Sequence, residues 1–172
     1  MAEQEKFFAI VMMGVSGSGK TTIGSLLAKR LGAIFADADD YHSAANKAKM
    51  AAAIPLTDED RAPWLATLNG VLRGWVDAKT QGVLACSALK AEYRDTLGAN
   101  VDPKAIAFVW LDGSKQMIAA RLAARTGTYM NPALLDSQIA TLEPPADTLR
   151  VVNDRTPDEV VDEVVRELGL SV

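Results

Sequence analysis

The sequence predicts an α/β protein, a parallel sheet sandwiched between layers of helices, and three observations predict it. Short apolar runs alternate along the chain with stretches whose apolar residues recur about every 3.6 positions. A glycine-rich segment, GVSGSGKTT (14–22), joins the first apolar run to the first such stretch. The last helical stretch opens on TPDE, a helix-start signature, directly after another apolar run. Strand and helix in alternation give a parallel sheet, because each crossover helix packs back onto the sheet it left.

Taken in order, the strand candidates are Phe7–Met13, Ile34–Ala36, Val83–Cys86, Ala105–Leu111 and Leu149–Val152. The first helix is marked by Ile23, Leu26, Leu27 and Leu31 on one face and is closed by Gly32. Residues 40–81 hold helical patterns but no clear strand, so a helical excursion over one end of the sheet is expected there, where a second substrate is enclosed. In the final helix Thr156 caps, Pro157 occupies the first turn and Glu159 completes a capping box. Val160, Val161, Val164, Val165 and Leu168 then face the sheet.

Composition narrows the class. The 172 residues suit a single domain spanning 1–172, and with 49% apolar residues a sizeable core is expected. A formal charge of −4 speaks against a nucleic-acid surface. Cys86 is the lone cysteine, so no disulfide framework or paired metal-ligand spacing exists. The start, MAEQEKFF, is too polar for a signal peptide or membrane span, and the expectation is a soluble cytoplasmic protein.

Gly14–Thr21 fits G-x-x-x-x-G-K-[ST] in the required setting, after a strand and opening a helix. Glycines let successive amides curl around phosphate oxygens with no Cβ in the way, and a helix N-terminus adds free N–H groups. Gly14, Ser16, Gly17, Ser18 and Gly19 therefore form the expected ATP cradle, with Lys20, Thr21 and Thr22 at the helix start. Lys20 neutralises the β- and γ-phosphates and the Thr21 hydroxyl ligates Mg²⁺. A GTPase switch would need N-K-x-D on a later strand. The only Asn-Lys pair, Asn46-Lys47, continues as Ala48-Lys49 inside the helical excursion. A kinase for a small acceptor fits better.

Four further stretches carry a resemblance: DADDYH (37–42), IPLTDEDRAPWL (54–65), CSALKAEYRD (86–95) and MNPALLDSQIATLEPP (130–145). With the phosphate loop they resemble the gluconate kinases, small P-loop enzymes related to shikimate and nucleoside monophosphate kinases. The resemblance implies a P-loop kinase fold with a five-stranded sheet in the order 2-3-1-4-5, a lid around 121–141 and a homodimer. It also implies ATP-dependent phosphorylation of D-gluconate at the 6-hydroxyl. Two other readings stay open: a kinase for another sugar acid, polyol or nucleotide, and a nucleotide-binding regulatory module without transfer activity.

The acidic run follows the second strand, where alternation places Asp37 and Asp39 on one side and Asp40 on the other. A sugar hydroxyl needs a carboxylate to orient it and take its proton. By resemblance Asp39 is that base and Asp37 lies near the Mg²⁺, although Asp112, ending AFVWLD, also looks like a metal-side aspartate. His42 matches the family's substrate-side histidine. Arg61 suits a gluconate carboxylate through its planar fork, or pairs locally with Asp58. With a helix over Ala88–Leu97, Lys90 and Arg94 share a face beside Ser87, two cations for one anionic acceptor. Arg121 and Arg125, four apart, belong by resemblance to the lid and reach the triphosphate, with Arg125 assisting transfer alongside Lys20. Asn153–Thr156 falls near the adenine by the same resemblance. One departure stands out: after the lid glycine, Gly127, the family usually has histidine, where this chain has Thr128.

Overall fold

The computed structural model describes residues 6–125 and 134–172. Five strands, β1 (Ala9–Met13), β2 (Ile34–Asp37), β3 (Gly82–Ala85), β4 (Ile106–Asp112) and β5 (Leu149–Val152), form one parallel sheet in the order β2-β3-β1-β4-β5. That is the order the resemblance implied. The central strand β1 sets its Ala9 opposite Gly82 on one side and Ile106 on the other. Each strand lies within two residues of its expected limits; β2 and β4 run on to include Asp37 and Asp112.

The helices are α1 (Lys20–Leu31), α2 (Ala44–Ala51), α3 (Asp58–Asp77), α4 (Ala91–Leu97), α5 (Lys115–Ala124), α6 (Leu134–Thr141) and α7 (Pro157–Glu167). Side-chain alternation along β1 divides the core between the two faces of the sheet. Ala9, Val11 and Met13 pack with Trp64, Leu68, Leu72 and Leu97. Ile10 and Met12 pack with Ile23, Leu27, Val160, Val161 and Val164. All five residues of β1 are fully buried, so the loop leaving its end starts from within the core.

Local signals explain the helix ends. Gly32 closes α1 at φ 64°, returning its N–H to the Ala28 and Lys29 carbonyls. Thr57 with Asp60 and Thr156 with Glu159 both form complete capping boxes. The expected helical excursion contains α2 and α3, but α3 is not confined to the end of the sheet. Its Leu68 and Leu72 cover one face as an ordinary crossover layer, which leaves α2 and the start of α3 beside the carboxyl ends of the strands. Among the described residues no helix is long and apolar enough to cross a membrane.

Candidate active site

The phosphate loop runs from the end of β1 into α1. Gly19 sits at φ 98°, and a Cβ there would lie 2.2 Å from Asn153 Nδ2. The Asn153 amide in turn donates to the Ser18 carbonyl at 2.8 Å. The loop is therefore pressed against the chain just beyond β5, and only a glycine admits that approach. Ser18 Oγ and Arg121 Nη1 are buried with no hydrogen-bond partner among the described residues. Orphaned polar atoms of this kind are what a site built for a polar ligand leaves behind.

Lys20 donates to the Val15 carbonyl at 3.0 Å. Burial lowers its pKa, opposed by the charges of Asp39 and Asp37. Asp37 joins the loop to β2: its carboxylate accepts from the Thr21 hydroxyl at 2.8 Å and from the Asp39 amide at 3.0 Å. Asp39 opens to the cavity, yet the surrounding protein and the neighbouring Asp37 raise its pKa above the ordinary carboxylate value. A carboxyl shifted upward in this way is a stronger base once ionised. Asp112 lies elsewhere, ion-paired to Arg150 at 2.6 Å and accepting from the Gly113 amide.

One cavity brings together Lys20, Thr21, Asp37, Asp39, His42 and Arg61. Ser87 and Arg125 also line it. His42 is buried and stacks on Trp64, ring centroids 4.2 Å apart at 14°. Burial, then the charges of Arg61 and Lys47, push its pKa down to about 4. Arg61 donates to the Leu56 carbonyl at 2.7 Å and the Tyr93 hydroxyl at 3.2 Å, with Asp58 at 4.0 Å. The cavity-facing position and the local pairing with Asp58 thus coexist.

Lys90 and Arg94 do not share a helical face. Helix α4 begins at Ala91, and Lys90 is its cap with an extended backbone at φ −100°, ψ 149°. Lys90 instead faces Asp58 at 3.5 Å, while Arg94 donates to the carbonyls of Ala88, Leu89 and Glu143. Neither lines the cavity. Arg121 and Arg125 line a second depression with Thr22, Asn153 and Arg155, reached across Gly17 and Gly19. Arg121 donates to the Asn153 carbonyl at 2.5 Å, and Arg125 caps the end of α5.

Three cavity residues carry no site role in the sequence reading. Tyr93 donates to Asp58 at 2.6 Å and receives Arg61. Trp64 donates from Nε1 to the Ala38 carbonyl at 2.8 Å, fixing the ring under His42. Gln138 on α6 accepts the Ser16 amide at 2.7 Å, although it sits 122 residues away. Its one sequence signal is its place in MNPALLDSQIATLEPP. Thr128 and Gly127 lie outside the described residues.

The family model for shikimate kinase matches residues 16–168. A gluconokinase of Gluconobacter oxydans (strain 621H) is 48% identical over 160 residues, covering 91% of this chain and 89% of that protein. Among solved structures, a sugar kinase from Janibacter sp. HTCC2649 superposes with a TM-score of 0.87 at 40% identity, covering 96% of both chains. A gluconokinase from Sinorhizobium meliloti 1021 superposes with a TM-score of 0.84 at 40% identity, covering 95% of this chain and 94% of that one.

Proposed function

Since the chain belongs to the shikimate kinase family and, within it, to the gluconokinases, we infer that it transfers the γ-phosphoryl group of ATP to D-gluconate, giving 6-phosphogluconate and ADP. The observation that carries the mechanism is one cavity with a phosphate cradle and Lys20 in one wall and Asp39, His42 and Arg61 in another. A sugar acid needs the second set and a triphosphate the first.

In the transfer, the 6-hydroxyl oxygen attacks the γ-phosphorus while the bond to the β–γ bridging oxygen breaks. The hydroxyl proton passes to the Asp39 carboxylate, and ADP leaves with the bridging oxygen. The loop amides and Lys20 hold charge that builds on the phosphate oxygens. Arg125, at the edge of both depressions, reaches the same oxygens from the α5 side. Arg61 holds the gluconate carboxylate through its fork, and His42 and Ser87 orient hydroxyls. In the second depression Thr22, Arg121 and the segment from Asn153 flank the nucleotide.

Thr21 and Asp37 would hold Mg²⁺, which supplies charge neutralisation at the β- and γ-phosphates. Their oxygens are already adjacent through the 2.8 Å hydrogen bond. One hydroxyl and one carboxylate suit a hard cation that keeps most of its waters and binds largely through the nucleotide. Among the described residues no group of three or more His, Cys, Asp or Glu side chains forms a self-contained metal site. Asp112, tied to Arg150, is the weaker metal candidate. A homodimer in the cytoplasm completes the proposal, and light scattering of the purified chain tests its assembly.

The test is ADP release against D-gluconate, other aldonates, shikimate and nucleoside monophosphates, with and without Mg²⁺. Strong, Mg²⁺-dependent stimulation by D-gluconate is expected. Stimulation by shikimate or AMP with silence toward gluconate would overturn the assignment.

A further inference from the structure

His42 is the only histidine in the chain, and its contacts bear on both where the ring lies and where its proton sits. Stacking on Trp64 fixes the ring plane, and Trp64 is itself tied to the Ala38 carbonyl. At the ring edge, Nδ1 lies 3.3 Å from the side-chain nitrogen of Asn46, a residue only 5% exposed. That same nitrogen donates to the Asp60 carbonyl at 2.9 Å. The Asp60 contact fixes the amide's orientation, because the flipped form would press two carbonyl oxygens together. An amide nitrogen carries two hydrogens and accepts nothing. One hydrogen goes to Asp60, so the other points at Nδ1, which must hold a lone pair.

We propose that Asn46 is a positioning residue that locks His42 as the Nε2–H tautomer, making the histidine a fixed, uncharged hydrogen-bond donor toward the acceptor substrate. The proposal rests on the reading that this cavity takes the sugar acid. A neutral imidazole with a bare Nδ1 carries its proton on Nε2. The cations Arg61 and Lys47, together with burial, keep the ring from taking a second proton near neutral pH.

The consequence is a division of labour in the cavity wall. Asp39 only accepts when ionised, Arg61 donates with charge, and His42 donates without charge. A polyol chain presents oxygens that serve as donor or acceptor, so the wall reads it by demanding an acceptor oxygen at the His42 position. An analogue lacking that oxygen leaves a buried N–H unpaired, which sites built on hydrogen bonds reject strongly. Without Asn46 the ring would be free to place its proton on Nδ1 and present a lone pair to the same oxygen.

The experiment is a long-range ¹H–¹⁵N correlation spectrum of the tag-free chain labelled with ¹⁵N-histidine, in which a single imidazole reports. At pH 7 the expected pattern is an unprotonated Nδ1 and a protonated Nε2, with the Nε2 signal moving when D-gluconate is added. An Nδ1–H tautomer or an imidazolium at pH 7 would overturn the proposal, as would a gluconate titration that leaves Nε2 unmoved. Asn46→Leu should give a tautomer mixture and raise the KM for gluconate roughly 3–10-fold, the size of one neutral hydrogen bond. Its kcat and the KM for ATP should hold, and an equal rise in both KM values would overturn the positioning role. Asn46→Asp supplies a second reading, since a carboxylate there can only accept and should draw the proton to Nδ1; a retained Nε2–H form would also overturn it. If the wild type fails to turn over gluconate at all, the substrate assignment falls, while the gluconate-free spectra still decide the tautomer.

Discussion

Replacing Gly19 by alanine attacks the phosphate loop at its tightest contact. The backbone there is left-handed at φ 98°, and the new Cβ would sit 2.2 Å from Asn153 Nδ2. Because Nδ2 is the tip of a side chain it can swing away, so the clash is converted into loss of the 2.8 Å bond to the Ser18 carbonyl. An L-residue in the left-handed region costs about 1–2 kcal/mol. Leaving a buried donor or acceptor unpaired costs about 1–3 kcal/mol more, for a total of roughly 2–5 kcal/mol. For a chain of this size each kcal/mol moves Tm by roughly 2–4 °C, so a fall of about 4–20 °C is expected. Circular-dichroism melts of wild type, Gly19→Ala, Asn153→Ala and the double variant measure it, with ATP affinity by calorimetry alongside. In the Asn153→Ala background the glycine replacement should cost only the backbone strain. Strict additivity of the two substitutions, or an unshifted Tm and ATP affinity in Gly19→Ala, would refute this account of the loop.

Three further perturbations test two cavity residues and one helix cap. Asp39→Asn keeps the shape but removes the base, so kcat should fall by about 10²–10⁴ with ATP affinity unchanged; a near-native kcat would make Asp39 a turn residue. Because burial and Asp37 raise the Asp39 pKa, the acid limb of the wild-type kcat profile should lie above the ordinary carboxylate range. Arg61→Lys loses the fork and should raise the KM for gluconate roughly 10–100-fold, the range for hydrogen bonds to charged groups, while sparing the KM for ATP; an unchanged gluconate KM would remove Arg61 from the substrate site. The Lys49 hydrogen bond and the Thr57 amide hold the Asp60 pKa down to about 2. A depressed carboxylate contributes stability that is present above its unfolded value of about 4 and is lost as pH falls through the folded one. Asp60→Asn should therefore lower Tm at pH 6 with a gap that closes toward pH 2, and a gap of constant size would contradict the pairing.

What was legible in the sequence is what local chemistry encodes. The Thr156–Glu159 capping box, the Gly32 stop and the phosphate loop are written within a few consecutive residues, and each appears where its residue types demand. The strand order is not encoded locally and followed only from the family resemblance. Helix α4 shows how the reading runs out. Its start could not be placed at Ala91 from CSALKAEYRD alone, because Lys90 gives no side-chain cap. The Ala91 amide is satisfied by the Glu143 carboxylate, 52 residues away. Ala88, at φ 46°, bends the segment out of helix before Lys90. Arg94 is likewise drawn to carbonyls of that bend and of Glu143, and Lys90 to Asp58, so the expected shared helical face does not form. Gln138 against Ser16 and Asn153 against Gly19 are contacts of the same kind, set by the sheet order and hidden from any local pattern.

Phosphoryl transfer from ATP to the 6-hydroxyl of D-gluconate is read out by a proton-coupled ³¹P NMR time course of the chain with Mg²⁺-ATP and D-gluconate. A primary alcohol carries two hydrogens on the carbon bearing the new phosphate, so the ester signal should split into a triplet and grow in step with ADP. A doublet would place the phosphate on a secondary hydroxyl. ADP appearing with inorganic phosphate alone, or no change that depends on gluconate, would contradict the assignment.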